Sequence, residues 1–267
     1  MIDREASLYK LITSLAIASL LFFSSSGIGF NHSAFGASSS NIVLRTSMKD
    51  LHIVIPKLKA GDLVLLMGDN VYAKQKAQSM VPAGVKVQIT YQYDSYTNLA
   101  AALLSMPAGV GMVDYDYERG PLCPEFTNNE LTSIGYFDKA EAAVHAYNAR
   151  TGGTAVLQVD TPMGELYYSH WDWHLASQHI DLMNVQMQSF TTKPSLSLPL
   201  ITMLLNSRAN GLSIELSTAQ MQPGAGTPLQ NAYIVQNADP RANPFFIHHA
   251  GTLDYTNLMT FLNLLRP

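Results

Sequence analysis

The chain has 267 residues, of which 47% are hydrophobic and only 13% are charged, and its formal net charge is -4. This composition predicts one large domain with a sizeable core, and the lack of a basic cluster argues against a protein that binds nucleic acid electrostatically. Cys123 is the only cysteine, so no intramolecular disulfide can form and the core must fold unaided.

The N-terminal region has the pattern of a targeting segment. Residues 11–23 form an apolar run of the length that is typical of a secretory signal, and a small, polar stretch with a candidate cleavage site at 34–36 follows. We therefore expect residues 1–37 to be a signal peptide that leads to a secreted or extracytoplasmic location. Attachment to the membrane is the alternative, because Gly27 and Gly29 could extend the apolar run.

Residues 38–267 alternate between short β-rich runs and helical stretches. The predicted strands are 41–45, 62–68, 85–93, 110–118, 154–160, 180–188, 211–217 and 245–249. The predicted helices are 47–58, 72–81, 96–106, 137–150, 170–178, 195–208 and 252–265. No element is predicted within 218–244. This alternation predicts a single α/β domain, a (β/α)8 TIM barrel, with an open doubly wound sheet as the alternative that no glycine-rich phosphate motif favours.

Polar side chains recur at the carboxyl ends of the predicted strands, where (β/α)8 enzymes build their active sites. Many of them recur with a period of two, as expected for side chains that face the barrel interior. Those expected to contact a substrate are Gln186, Gln188, Asp160, Glu215 and His248. Asp160 and Glu215 are single acids at strand ends, and either could be one of a pair of catalytic carboxylates.

The most distinctive motif is a triplet of acids, Asp114, Asp116 and Glu118, within the fourth predicted strand. Alternate side chains of a strand share a face, so these acids should lie roughly 7 Å apart on one side. Three like charges at this spacing repel one another, and we expect at least one carboxyl to retain its proton as a general acid must. Tyr115 and Tyr117 alternate with the acids and should face the helices. A polar strand end that bonds to nearby loops is the alternative interpretation.

The triplet resembles the core of the signature Asp-x-x-Asp-x-Asp-x-Glu of glycoside hydrolase family 18, which comprises chitinases and endo-β-N-acetylglucosaminidases. The resemblance implies that Glu118 protonates the glycosidic oxygen and that Asp116 orients the substrate acetamido group that attacks the anomeric carbon. It also implies that Asp114 tunes both acids. Gly111 stands where the family has its first Asp, and Gln188 stands where the family has a Tyr on the sixth strand. The Ser-x-Gly-Gly of the third strand is absent.

A second cluster, His170-Trp171-Asp172-Trp173-His174, lies in a predicted helix. His170 and His174 have the i, i+4 spacing of metal ligands, but the sequence offers no third ligand, so we expect no metal and no other cofactor. Aromatic faces suit the apolar C–H patches of sugar rings, and we expect Trp171 and the mouth residue Tyr93 to contact substrate. Packing of a tryptophan in the core is an equally good interpretation.

Together these features predict an exported glycoside hydrolase-like protein that acts on polysaccharides, in particular those that contain N-acetylhexosamine. Glu118 is the expected general acid. One alternative is a glycan-binding barrel without catalytic activity. Another is a metal-assisted hydrolase on the same fold, with Asp69, His170, His174 or His248 as ligands.

Overall fold

The computed structural model describes residues 40–164, 173–207, 211–218, 226–248 and 255–266. The predicted targeting segment, residues 1–37, lies outside these ranges, so export and membrane attachment remain predictions. Among the described helices, none combines the length and the apolar character that crossing a membrane requires.

Eight parallel strands close into a barrel in chain order, and the last strand pairs with the first. The strands are β1 Ile42–Thr46, β2 Leu63–Met67, β3 Lys86–Tyr93, β4 Val110–Asp116, β5 Val156–Pro162, β6 Leu182–Gln186, β7 Gly211–Ser217 and β8 Phe245–His248. The prediction of a (β/α)8 barrel is confirmed, and the open-sheet alternative is wrong.

Helices follow the strands around the barrel. They are α1 Leu51–Val54, α2 Val71–Met80, α3 Tyr96–Ser105, α4 Glu130–Thr151, α5 Trp173–Ala176, α6 Pro194–Ser207, α7 Pro228–Asn237 and α8 Tyr255–Leu265. Short 3₁₀ turns cover Ile55–Lys57, Ser177–His179, Gln188–Phe190 and Pro240–Ala242. Helix α4 begins seven residues before its predicted start because the side chain of Asn129 caps it.

Helix α7 lies in the segment 218–244, for which the sequence analysis predicts no element. Thr227 precedes it, its side-chain oxygen accepts from Gln230 N at 3.3 Å, and Gln230 Oε1 accepts from Thr227 N at 2.8 Å. Pro228 occupies the first helical position, which favours a helix start. This capping box is readable in the sequence as Thr-x-x-Gln, and it is the signal that could have located the helix.

We expect Thr227→Ala to lower the free energy of unfolding by about 1 kcal/mol, because the substitution leaves the backbone N–H of Gln230 without its acceptor. Thr260→Ala is the matched control, since Thr260 is an exposed helical residue whose hydroxyl donates to the carbonyl of Thr256 within the same helix. Urea unfolding measures both variants. Equal stability of the two variants would contradict the role of the cap.

The barrel has two apolar layers that alternate along each strand. Inside, Val43, Leu65, Met112 and Phe246 form a small buried cluster that fills the lower part of the barrel. Outside, the main core lies between the strands and the helices, and it includes Tyr115 and Tyr117. The ring of Tyr117 contacts that of Phe137 of α4 at 5.0 Å between centroids. The prediction that these tyrosines face the helices is confirmed, and Asp114 and Asp116, which alternate with them, face the interior.

Candidate active site

Arg45 forms the centre of a polar network above the inner apolar layer. It follows Val43 by two residues on β1, is 7% exposed, and has its guanidinium carbon 4.9 Å from the centroid of Phe246. Its Nη1 donates to Gln92 Oε1 at 2.7 Å, and its Nη2 donates to Asp114 Oδ2. Arg45 was not among the predicted site residues, although a charged residue inside the run Ile-Val-Leu-Arg-Thr was a signal that could have identified it.

Two further carboxylates complete the network from the other side of the barrel. Asn184 Nδ2 donates to Asp160 Oδ1 at 2.8 Å and to Glu215 Oε2 at 2.6 Å. Gln158 Nε2 donates to the same Asp160 oxygen at 2.7 Å, and Gln188 Nε2 donates to Glu215 Oε1 at 2.7 Å. The fold thus brings together Asp160, Glu215 and Gln188, which the strand ends pointed to, and adds Asn184, which was not among the expected contacts.

The three buried carboxyls of the network carry more negative charge than Arg45 can neutralise. Burial is the largest cause that raises the pKa of Asp114, of Asp160 and of Glu215 above its usual range, and the charge of Arg45 opposes the rise in each case. Burial also acts against the charge of Arg45, but the surrounding carboxylates outweigh it, so the pKa of Arg45 is raised. Burial therefore favours the neutral form of these acids over the charged form.

Asp116 lies higher, at the carboxyl end of β4, and is only partly buried. Its Oδ2 accepts from Gln92 Nε2 at 2.7 Å, and Asp160 is its neighbour in the sheet register. Burial and the charges of Asp160 and Glu118 raise the pKa of Asp116 to about 7, against the opposing hydrogen bond from Gln92. This carboxyl can therefore take up and release a proton near neutral pH.

Glu118 lies two residues beyond the end of β4 and is exposed. The strand was predicted to continue to residue 118, but it ends at Asp116, although Tyr117 N still donates to the carbonyl of Asp160 at 2.9 Å. The triplet therefore rises from a fully buried Asp114 through Asp116 to an exposed Glu118. The three acids therefore extend from the barrel interior to solvent.

Tyr93 lies on the face of β3 that is turned towards the helices. Its partner in the sheet register is Tyr115, and it packs against the main core between strands and helices. Gln92 takes the interior position of this strand instead, because adjacent residues of a strand face opposite sides. Tyr93 ends β3 and is only partly buried, and its contact with substrate stays a prediction.

The remaining predicted contacts are only partly described. Gln186 is half-buried and is the register partner of Glu215, while His248 ends β8 beside Ser217. Trp171 and His170 lie outside the described residues. The predicted roles of these residues therefore stay predictions.

Gly111, which stands at the position of the first Asp in the family 18 signature, lies next to the side chain of Gln88. A Cβ atom at Gly111 would lie 2.7 Å from Gln88 Oε1. The pairing of β3 with β4 shifts here, between Ile89 and Thr90. An aspartate at position 111 would therefore require Gln88 to move.

Within the described ranges, one group of acids and imidazoles is close enough to share a metal ion. It consists of Glu141 and His145 of α4 and Asp181, whose ligand atoms lie within 4.8 Å of one another. Asp181 directly precedes β6, at the amino end of the barrel, whereas the acid triplet lies at the carboxyl end of the strands. The described residues thus form no such group at the mouth.

Solved structures of several proteins share this fold. The catalytic domain of a family 18 chitinase from the fern Peteris ryukyuensis matches with a TM-score of 0.53 and 16% identity, over 84% of this chain and 100% of its own. The family 18 chitinase from Crocus vernus matches with a TM-score of 0.52 and 12% identity, over 83% of this chain and 96% of its own. A xylanase and amylase inhibitor protein, XAIP-III, matches with a TM-score of 0.51 and 12% identity, over 85% and 98%.

No protein family model matches the sequence, and no curated protein does so. The likeness at 12–16% identity is one of fold. The closed barrel of eight parallel strands agrees with this likeness. The chain is a (β/α)8 barrel that resembles the family 18 glycoside hydrolases in fold.

Proposed function

We propose that this protein is an exported glycoside hydrolase that cleaves glycans containing N-acetylhexosamine, with Glu118 as the general acid. The observation that carries the proposal is the pair formed by the exposed Glu118 and the partly buried Asp116, whose pKa is raised to about 7. A carboxyl that titrates near the working pH beside a second, solvent-accessible carboxyl is suited to proton transfer.

In the proposed reaction, Glu118 gives its proton to the glycosidic oxygen while the bond from that oxygen to the anomeric carbon breaks. The oxygen of the substrate acetamido group forms a bond to the anomeric carbon, and Asp116 orients and stabilises that group. Water then attacks the same carbon and returns a proton to Glu118, which regenerates the acetamido group. The buried polar network holds the Asp116 side chain in place through the hydrogen bond from Gln92.

A comparison of two substrates with the same leaving group tests this proposal. We expect the chain to hydrolyse a 4-nitrophenyl glycoside of a chitooligosaccharide and not the matching cellooligosaccharide, because only the former carries the attacking acetamido group. Release of 4-nitrophenol at equal rates from both would contradict the substrate-assisted mechanism. Release of 4-nitrophenol from the cellooligosaccharide alone would favour a conventional mechanism with two catalytic acids, in which Asp160 or Glu215 is the second acid.

A glycan-binding barrel without catalytic activity is the second candidate. It is favoured by the hydrogen bonds that join Arg45 to Gln92 and Asn184 to the buried carboxyls. These bonds would hold the side chains of the barrel interior in one arrangement. The fold is also that of XAIP-III, which is described as an inhibitor protein. Calorimetric binding of chitooligosaccharide with no release of reducing ends over a day would favour this candidate.

We expect the activity to be independent of metal ions, because the acid triplet alone offers the groups that the proposed reaction needs. Assays after dialysis against EDTA, with and without added Zn²⁺, measure this expectation. The rate should stay within twofold of the untreated enzyme. Loss of activity that zinc restores would favour the metal-assisted hydrolase instead.

A further inference from the structure

We propose that Arg45 is a positioning residue that fixes the direction of the Gln92 side-chain amide and thereby assigns the proton of Asp116 to its Oδ1 atom. The inference rests on the proposed function, in which Asp116 assists Glu118. Arg45, Gln92 and Asp116 come from three different strands, and we call this chain of hydrogen bonds the Arg45 relay.

The first step of the relay is geometric. Arg45 Nη1 donates to Gln92 Oε1 at 2.7 Å, and Gln92 Nε2 donates to Asp116 Oδ2 at 2.7 Å. An arginine side chain has hydrogen-bond donors only and no acceptor. The amide of Gln92 must therefore turn its oxygen towards Arg45 and its NH₂ group towards Asp116.

The second step concerns the proton of Asp116. Because Oδ2 accepts a hydrogen bond from an NH₂ group, a proton on Oδ2 would face a donor and lose that bond. The other oxygen, Oδ1, is buried and has no hydrogen-bond partner among the described residues. The proton that Asp116 holds below its pKa of about 7 therefore belongs on Oδ1.

A neighbouring glutamine shows that such fixing is not general in this barrel. Gln158 also donates to a carboxylate, Asp160, at 2.7 Å, but its Oε1 is buried without a hydrogen-bond partner in the described part of the chain. No arginine among the described residues therefore determines which way that amide points. Gln158 provides a matched control for Gln92.

The direct charge effect of Arg45 on Asp116 is a separate contribution. Among the four carboxylates that raise the pKa of Arg45, Asp116 contributes the least, after Asp114, Asp160 and Glu215. The charged groups of the described residues that act on Asp116 or share its network are Arg45, Asp94, Asp114, Glu118, Asp160 and Glu215. The relay predicts that Arg45 acts on Asp116 mainly through Gln92.

The experiment is a double-mutant cycle read by NMR. The full chain is labelled with ¹³C at the aspartate carboxyl carbon, the Asp116 signal is assigned by its absence in Asp116→Asn, and its pKa is measured in wild type, Arg45→Met, Gln92→Met and the double variant. We expect Gln92→Met to raise the pKa of Asp116 by roughly one unit, because a hydrogen bond to a charged group is lost. Arg45→Met should raise it in the wild-type background by roughly one unit more than in the Gln92→Met background.

Three controls make the outcome decisive. Gln158→Met should leave the pKa of Asp116 unchanged or lower it, because Asp160 would then take up a proton more easily and repel Asp116 less. Arg266→Met removes a different arginine, which pairs with Asp62 at 2.7 Å, and should destabilise the fold without moving the Asp116 titration. Arg45→Lys retains a donor and should recover part of the wild-type pKa.

Equal effects of Arg45→Met in both backgrounds would overturn the proposal, because Arg45 would then act by charge alone. An unchanged pKa in Gln92→Met would overturn it as well, and this result stands even if Arg45→Met does not fold. The titration needs no substrate, so inactivity of the wild type towards every glycan would contradict the proposed function and leave the relay to be judged on its own measurement.

Discussion

Glu118→Gln is expected to lower the turnover of a chitooligosaccharide by about 10²–10⁴-fold, the usual contribution of a general acid. The substitution keeps the size of the side chain and removes its proton. Because Glu118 is exposed and lies beyond the end of β4, we expect the free energy of unfolding to change little. Steady-state kinetics and urea unfolding of the same preparation measure both quantities.

A matched variant distinguishes the loss of the general acid from the loss of any one carboxylate. Glu141→Gln removes a carboxylate from helix α4, at the other end of the barrel, and should leave kcat unchanged. If Glu118→Gln retained turnover within a few fold of wild type, another group would have to supply the proton. Substrates with a leaving group of low pKa should also lose less activity in Glu118→Gln, because such a group departs without help from an acid.

Asp116→Asn is expected to move activity and stability in opposite directions. The folded-state pKa of about 7 exceeds the ordinary value of 3.8, so the folded protein holds more protons than the unfolded chain between roughly pH 4 and pH 7. Wild-type stability from this group is therefore present at low pH and is lost as the pH rises through that window. The asparagine has no charge to bury, so the loss should be absent in the variant.

At pH 8 we expect Asp116→Asn to be more stable than wild type by about 2 kcal/mol, after allowance for the partial exposure of the group, and at pH 4 the two should be similar. Turnover should fall by roughly 10²-fold, at the low end for proton-transfer groups. Thermal unfolding at several pH values and the pH–rate profile measure these changes. Asp69→Asn, at the carboxyl end of β2 but outside the polar network, is the control.

Strong destabilisation of Asp116→Asn at pH 8 with an unchanged pH–rate profile would contradict a catalytic role of Asp116. Asp116 would then be a structural anchor for Gln92, and the catalytic interpretation of the triplet would lose its main support.

Periodicity in the sequence was sufficient to predict the barrel and the face on which the triplet lies. Eight β-rich runs separated by helical stretches leave few ways to pack, and strict alternation puts Asp114 and Asp116 on the face opposite Tyr115. The same alternation excludes a shared face for Gln92 and Tyr93. Gln92 therefore faces the interior and Tyr93 the helices, while contact of Tyr93 with substrate stays a prediction.

The partners of the acids were decided by the tertiary structure alone. Arg45 and Asp114 are 69 residues apart, and Gln92 reaches Asp116 across 24 residues, so only the closure of the barrel and the register of its strands bring them together. Burial in that closed interior raises the pKa of Asp116 to about 7, and no sequence spacing reports burial. The sequence alone determined the fold class and the acids, whereas tertiary packing decided which of their pKa values are raised, because desolvation and hydrogen-bond direction depend on neighbours distant in the chain.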